Sequence, residues 1–184
     1  MKKLLAAAAL AALLSACGQQ SASDIASADA AAEAEKYAQE NAEVIAVGAK
    51  NLESGKAFMA QNATVSGVTT LPTGVQYRVI KAAPGAGAKP GPEDEVTVHY
   101  EGKLIDGKVF DSSYARGEPA SFGLNMVIPG WSAAVQQMKV GDTFEVVIPP
   151  DQGYGPENKG EIPPNSVLIF KLELLGYQPA RGQG

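Results

Sequence analysis

The chain has 184 residues and a hydrophobic fraction of 45%, enough for one folded domain with extensions. Its formal net charge of −5 excludes the broad basic surface that binds nucleic acid. Cys17 is the only cysteine, which excludes an intramolecular disulfide, and His99 is a lone histidine without the partners of a metal site, so we expect neither a metal nor a cofactor.

The N-terminus has the plan of a secretory signal. Two lysines precede an apolar run over residues 4–14, which is shorter than the roughly 20 residues of a membrane-spanning helix. The sequence LSAC at residues 14–17 resembles the lipobox of bacterial lipoproteins, in which the cysteine is lipidated and becomes the first mature residue. We interpret residues 1–16 as a lipoprotein signal peptide and Cys17 as the lipidated residue. An incidental cysteine in an ordinary signal is the alternative.

A lipidated chain would belong to the bacterial cell envelope. Acyl chains on Cys17 would attach it to a membrane without a spanning segment. Gly18 follows the cysteine, where lipoproteins that stay at the inner membrane carry an aspartate. The resemblance to lipoproteins therefore favours the outer membrane, with the protein facing the periplasm.

The segment after the signal changes from a linker to a helix. Residues 17–27 include a Gln/Ser-rich stretch, from which we expect a flexible tether. Residues 28–62 are rich in Ala, Glu, Lys and Gln and contain no proline, which predicts a long N-terminal helix.

One face of this helix carries a sparse apolar stripe. Ile45, Leu52 and Met59 follow one another at steps of seven, and Gly48 and Gly55 fall on the same face. Two glycines there indicate either a break or the close approach of another backbone. The helix could pack on its own domain, act as a solvated spacer or pair with a second copy. We favour the first two interpretations over a dimer.

From Thr69 onward the pattern alternates as in half-buried strands. Turn signals separate the runs, and Asp106-Gly107 predicts a tight reversal. The alternating residues are Val75, Tyr77 and Val79, then Val96, Val98 and Tyr100, then Phe144, Val146 and Ile148, then Leu168, Phe170, Leu172 and Leu174.

One short stretch has a helical period instead. Trp131, Val135 and Met138 share a helical face, and Gly141 ends the stretch. We therefore predict an α+β fold, in which a twisted antiparallel β-sheet wraps on one short α-helix after an N-terminal α-helix. The domain would span residues 70–177, with residues 178–184 as a disordered tail.

The C-terminal half carries a set of motifs in a characteristic order: VTVHYEGKLIDGKVFDSSYARGEP, VIPGW, VGD, IPPDQGYGP and IPPNSVLIFKLELL. This order resembles that of the FKBP-type peptidyl-prolyl cis–trans isomerases, over roughly Gly74 to Tyr177. The resemblance implies the same fold and a rotamase activity (EC 5.2.1.8) on X-Pro bonds of exported or cell-envelope proteins. The alternative is a non-catalytic chaperone or protein-binding module that uses the same groove.

The resemblance also implies nine pocket residues. Trp131 would be the floor on which a substrate proline ring lies, and Tyr154 would donate its hydroxyl to a substrate carbonyl. The backbone N–H of Ile128 would donate to a second carbonyl, and Asp111 would be the lone acid at the pocket edge. The walls around the ring would be Tyr100, Phe110 and Phe170. Val127 would form a strip beside the ring together with Ile128, and Ile162 would close the far side. His99 alternates away from this face and should point to the opposite side.

Two departures from the family pattern concern the pocket. Ala120 stands where several members of the family have another aromatic wall, and Glu161 replaces an aliphatic residue. The clients expected are proline-containing polypeptides. Macrolide inhibitors would bind the same pocket, with an affinity lowered by these two changes.

Overall fold

The computed structural model describes residues 22–180, and describes side chains from residue 33 onward. Cys17, the expected signal peptide and residues 181–184 lie outside the described residues. The chain divides into two units, residues 1–41 and residues 42–184. None of the described helices is both long enough and apolar enough to cross a bilayer.

The N-terminal helix, α1, runs from Ala22 to Asn62. Its end coincides with the expected one, but it begins earlier, so residues 22–27 are helical where a flexible tether was expected. These six residues contain neither glycine nor proline, so nothing in them interrupts a helix. In the first unit, every side chain of residues 33–41 is exposed, and Lys36 pairs with Glu40 one turn later at 3.8 Å.

After the end of α1, the described part of the second unit contains seven strands, two short α-helices and a 3-10 turn. The strands are β1 (Val68–Thr70), β2 (Gln76–Lys81), β3 (Glu95–Leu104), β4 (Val109–Ser112), β5 (Ala120–Gly123), β6 (Thr143–Ile148) and β7 (Leu168–Gln178). The helices are α2 (Ser113–Arg116) and α3 (Pro129–Val135), and the 3-10 turn is Pro150–Gln152. All strand pairs are antiparallel, in the order β1-β2-β6-β7-β3-β4, and β5 also pairs with β3.

The main core lies between the sheet and α3. Trp131, Val135 and Met138 are all buried and join one cluster with the inward-facing residues of the central strands. The helix is shorter than expected, because α3 ends at Val135 and Met138 lies in the turn that follows. The fold class is confirmed: a mostly antiparallel sheet with one short core helix, preceded by an N-terminal helix.

Several local expectations need correction. Val79 was expected to face inward, but it is 45% exposed, next to the point where the β2–β6 register shifts between Val79 and Lys81. Strand β7 continues to Gln178, the first residue of the expected disordered tail. The Asp106-Gly107 reversal is present, with Gly107 at φ +90° and its N–H bonded to the carbonyl of Leu104 at 3.0 Å. The sequence pattern did not indicate α2 or β5.

The last part of α1 packs on its own domain. Phe58 and Met59 pack against a second buried cluster formed by Val147, Val167 and Ile169. The expected close approach at the two glycines is present: a Cβ at Gly55 would lie 2.8 Å from a methyl group of Val167. Nearer the N-terminus of the helix, Ile45 is 72% exposed. Self-packing is therefore correct for the end of the helix but not for the whole apolar stripe.

Candidate active site

A pocket of about 560 Å³ opens between α3, the sheet and the loop that follows β6. This volume lies in the range of small-molecule sites. All nine residues that the sequence pointed to line it. The lining consists of Tyr100, Phe110, Asp111, Phe122, Met126, Val127, Ile128, Trp131, Tyr154, Lys159, Glu161, Ile162 and Phe170.

Trp131 lies at the base of the pocket, in the first turn of α3. Pro129 opens this helix, and its fixed φ suits the first helical position. Three rings stand edge-on to the indole: Tyr100 at 5.1 Å, Phe170 at 5.3 Å and Phe122 at 5.6 Å between centroids, with interplanar angles of 81° to 90°. Trp131 is only 5% exposed, and its indole nitrogen has no hydrogen-bond partner among the described residues.

A glycine allows two of the aromatic walls to meet. Phe110 and Phe170 pack edge-to-face, with centroids 5.6 Å apart. Gly102 lies on β3 beside them, and a Cβ there would come within 2.6 Å of both rings. No side chain fits in that space, so this strand glycine is needed for the wall to close.

The polar side of the pocket is a three-residue network. The hydroxyl of Tyr100 donates to one carboxylate oxygen of Asp111, and Arg116 donates to the other. Arg116 also donates to the Tyr100 hydroxyl at 2.9 Å. Arg116 is the last residue of the short helix α2. Ser112 caps the start of this helix, because its side-chain hydroxyl accepts a hydrogen bond from the N–H of Ala115.

This network fixes the charge state of the acid. Burial opposes the ionisation of Asp111, but the hydrogen bonds from Tyr100 and Arg116 and the positive charge of Arg116 outweigh it, so the pKa of Asp111 lies below its usual value. Burial, together with the hydrogen bond to Asp111, raises the pKa of Tyr100. At neutral pH the acid is therefore a carboxylate and the phenol is protonated.

His99 lies outside the pocket lining, on the opposite side of β3, as expected. Its ring stacks on Tyr114 with centroids 4.7 Å apart, and its Nδ1 lies 3.0 Å from the hydroxyl of Ser113. Burial and the neighbouring Glu173 raise the pKa of Tyr114 to about 12. In the described part of the chain, no three His, Cys, Asp or Glu side chains are grouped so that they could hold a metal ion.

Comparison with known proteins gives the family. Residues 87–175 match the model of the FKBP-type peptidyl-prolyl cis-trans isomerases, and residues 1–79 match that of the domain amino terminal to such isomerases. A crystal structure of a peptidyl-prolyl cis-trans isomerase from Pseudomonas syringae is 38% identical, with a TM-score of 0.65, over 70% of this chain and 94% of that one. The chain belongs to the FKBP-type isomerase family.

Two relatives place it closer to the Mip-like members. The crystal structure of FkpA from Escherichia coli matches with a TM-score of 0.82 and 42% identity, over 88% of this chain and 75% of that one. A protein of Legionella longbeachae named outer membrane protein MIP is 48% identical over 132 residues, which are 71% of this chain and 56% of that protein. The chain spans about half the length of the curated relatives it matches.

The rim of this FKBP-type pocket is more charged than the sequence analysis suggested. Asp111 is not the lone acid, because Glu161 also lines the pocket. Glu161 pairs with Lys108, and Lys159 pairs with Glu157 across the same loop. These pairs lie in solvent, where each contributes little to stability, but they set the charge that an incoming peptide meets.

Sequence reasoning missed several residues that line or support the pocket. Phe122 lies two residues beyond Ala120 on β5 and supplies an aromatic ring that Ala120 does not. Residues two apart on a strand point to the same face, so this alternation could have identified Phe122. Arg116 gave no signal, because only the fold brings it beside Asp111. Met126 is 84% exposed and lines the pocket, and the sequence pattern gave no signal for it.

Proposed function

We propose that this protein is a peptidyl-prolyl cis–trans isomerase that accelerates rotation of X-Pro bonds in exported or cell-envelope polypeptides. The observation that carries the proposal is the base of the pocket. The indole of Trp131 is surrounded edge-on by Tyr100, Phe122 and Phe170, which leaves an apolar cradle open on one side. A cradle of this shape suits the small, apolar ring of a proline.

The chemistry of the reaction fits an apolar pocket. The barrier to rotation, about 18–20 kcal/mol, comes from amide resonance. At the top of the barrier the bond is twisted, its resonance is lost, and the carbonyl is less polar than in the planar ground state. A pocket that excludes water favours the less polar state, so it lowers the barrier by differential binding without any covalent step.

The polar groups of the pocket would hold the peptide on either side of the bond. We assign the backbone N–H of Ile128 and the hydroxyl of Tyr154 as donors to substrate carbonyls. Asp111 is a poor general base, because Tyr100 and Arg116 already occupy both of its oxygens and stabilise the carboxylate. We assign it instead as a fixed negative charge at the edge of the bound amide.

Refolding assays separate this function from that of a non-catalytic chaperone. The assays use two client proteins. The first is chosen because prolyl isomerisation limits the rate of its refolding, and the second because it has no such slow phase but aggregates during refolding. The isomerase proposal predicts faster refolding of the first client at a protein concentration far below that of the client. Suppressed aggregation of the second client without any acceleration of the first would favour the binding module.

We propose that the protein is a lipoprotein of the cell envelope, anchored in the outer membrane through lipidated Cys17 and facing the periplasm. The N-terminal pattern of residues 1–17 supports this, as does the name of the Legionella relative, outer membrane protein MIP. Cys17→Ala should move the protein from the membrane fraction to the soluble fraction. Unchanged membrane association of this variant would contradict lipidation at that residue.

We further propose that the pocket accepts macrolide inhibitors weakly. Ala120 carries no ring and does not line the pocket, whereas Phe122 supplies a ring further along β5. Calorimetric titration with a macrolide should give a lower affinity for the natural chain than for Ala120→Phe. Equal affinities would show that an aromatic ring at position 120 does not matter. The same preparations, analysed by sedimentation, would test our expectation that the protein does not form a dimer.

A further inference from the structure

The loop after the 3-10 turn contributes four residues to the pocket lining, and two of them, Tyr154 and Ile162, are among the expected site residues. We call residues 153–167 the wall loop; it carries Tyr154 near its start and Ile162 in its second half. Ile162 is 7% exposed and is held by paired backbone hydrogen bonds with Lys159, at 3.0 and 3.2 Å. The position of this loop therefore sets the position of one whole side of the pocket.

Asn165 joins the two parts of the wall loop. Its backbone N–H donates to the carbonyl of Gly155 at 2.7 Å, directly after Tyr154. Its φ of +56° is the only positive value among the described non-glycine residues. Asparagine tolerates this conformation better than most residues, although a cost remains. Pro163 and Pro164 lie between it and Ile162 and restrict the backbone there.

Helix α1 contacts the wall loop at the same place. The side-chain amide of Asn165 donates to the carbonyl of Gly48 at 3.2 Å, and the amide of Asn51 donates to the carbonyl of Pro164 at 2.9 Å. A Cβ at Gly48 would lie 3.2 Å from both Pro164 and Asn165, so the glycine permits the close approach. Gly48 is buried, although most of this part of the helix is exposed.

We propose that helix α1 positions the pocket wall, with Asn51 and Asn165 as the positioning residues. The two side-chain amides make a reciprocal link, in which each element donates to a backbone carbonyl of the other. Through the backbone bond from Asn165 to Gly155, the link reaches the residue after Tyr154. The predicted effect on turnover rests on the proposed isomerase function, whereas the structural link between α1 and the wall loop does not depend on that function.

The consequence for activity follows from geometry. Tyr154 and Ile162 face a substrate that must be held while its amide bond twists, and a displacement of about 1 Å in a positioning group can lower a rate substantially. Loosening the link should weaken the hold on the peptide and raise KM more than it lowers kcat. Residues on the other side of the pocket, such as Phe110, have no contact with the link and should keep their positions.

The test uses the full chain with two link variants and two matched controls. Asn51→Ala removes one amide and keeps a good helix former. Asn165→Gly removes the other amide and accommodates the positive φ. Lys50→Ala and Asn158→Gly are controls at exposed positions in the same helix and the same loop. The readouts are the methyl NMR signals of Ile162 and Ile148, the thermal midpoint, and kcat and KM on a proline peptide.

The proposal predicts that each link variant shifts the Ile162 methyl signal, leaves that of Ile148 in place and lowers kcat/KM about three- to tenfold, mainly through KM. The controls should change neither quantity. Gly48→Ala provides a second perturbation, which keeps the helix but places a Cβ against Pro164 and Asn165. It should also shift the Ile162 signal.

Unshifted Ile162 signals in folded link variants, with kcat/KM within twofold of the natural chain, would overturn the proposal. So would a lower thermal midpoint accompanied by no change at Ile162, because that pattern describes a purely structural contact. Failure of the proposed function is distinguishable from both results. In that case the natural chain itself would show no turnover, while the Ile162 signal would still report whether the link holds the loop.

Discussion

The hydroxyl of Tyr100 donates to the carboxylate of Asp111, which ties the aromatic wall of the pocket to the acid at its edge. Arg116, at the end of α2, donates to both groups. Tyr100 of β3, Asp111 of β4 and Arg116 therefore form one hydrogen-bonded network. The side of Tyr100 that faces the pocket packs edge-on against Trp131. A change in the charge of Asp111 should therefore affect Trp131 at the base of the pocket through Tyr100.

The first prediction concerns Arg116→Leu. Because the arginine helps to lower the pKa of Asp111, its removal should raise that pKa relative to the natural chain. In the natural protein, the contribution of ionised Asp111 to stability is present above its unfolded pKa and is lost as pH falls through the lowered folded value. In the variant this contribution should be smaller and its loss should be complete at a higher pH, and the acid limb of activity should also move to higher pH.

Carboxyl NMR of Asp111 across an acid titration measures this shift directly. Lys108→Leu is a matched control, since it removes a charge that pairs with Glu161 at the rim and does not contact Asp111. The same Asp111 titration midpoint in the natural chain and in Arg116→Leu would contradict the network as described.

The second prediction concerns Phe122, the aromatic wall that the sequence analysis did not identify. Phe122→Leu keeps an apolar side chain but removes one of the rings that stand edge-on to Trp131, so kcat/KM should fall about tenfold. Phe144→Leu is the matched control, because Phe144 is a buried core ring that stacks on Tyr77 outside the pocket. It should lower stability while leaving kcat/KM close to that of the natural chain.

The third prediction concerns the hydroxyl of Tyr154. Tyr154→Phe removes a donor without changing the ring, and the loss of one hydrogen bond worth about 1 kcal/mol corresponds to a roughly fivefold lower kcat/KM. Tyr114→Phe removes a hydroxyl that bonds Glu173 outside the pocket and should have no effect on turnover. Equal activities of the two variants would remove Tyr154 from the binding scheme.

The fourth prediction concerns stability at the α1 interface. Gly55→Ala improves helix propensity by about 1 kcal/mol but places a Cβ 2.8 Å from Val167, whose branched side chain has little freedom to move. Overpacking costs about 1–3 kcal/mol, so a net destabilisation of up to about 2 kcal/mol is expected in urea unfolding. Combining the change with Val167→Ala should relieve the clash, and a double-mutant cycle should show coupling of about 1 kcal/mol. Additive effects would mean that the helix does not press on Val167.

The elements with a clear period could be predicted from the sequence, and those made by long-range contacts could not. The strands around Val98 and Leu172 alternate, and this alternation predicts which residues face the core, although it does not predict the register shift between Thr97 and Val98. Val79 departs from the pattern because it is exposed, and no local signal marks it or the register shift that follows it in β2. The start of α1 was placed too late because the Ser-rich composition of the segment was taken as a linker.

The site divides in the same way. Trp131 and Tyr154 could be named because motif order and glycine flanks distinguish them. Arg116 could not be named, because its role depends on a four-residue helix that only the fold reveals. The contact of Asn51 with the wall loop joins residues 113 positions apart, and only the folded structure brings them together.

The central claim is that this pocket lowers the barrier to X-Pro rotation, and magnetisation-exchange NMR on a short proline peptide tests it most directly. Uncatalysed interconversion takes tens to hundreds of seconds, too slow for exchange peaks on the NMR mixing time. With the natural protein at a small fraction of the peptide concentration, cis and trans signals should exchange within a second, and Trp131→Leu should abolish that exchange. Exchange at the uncatalysed rate with the folded natural chain would contradict the account.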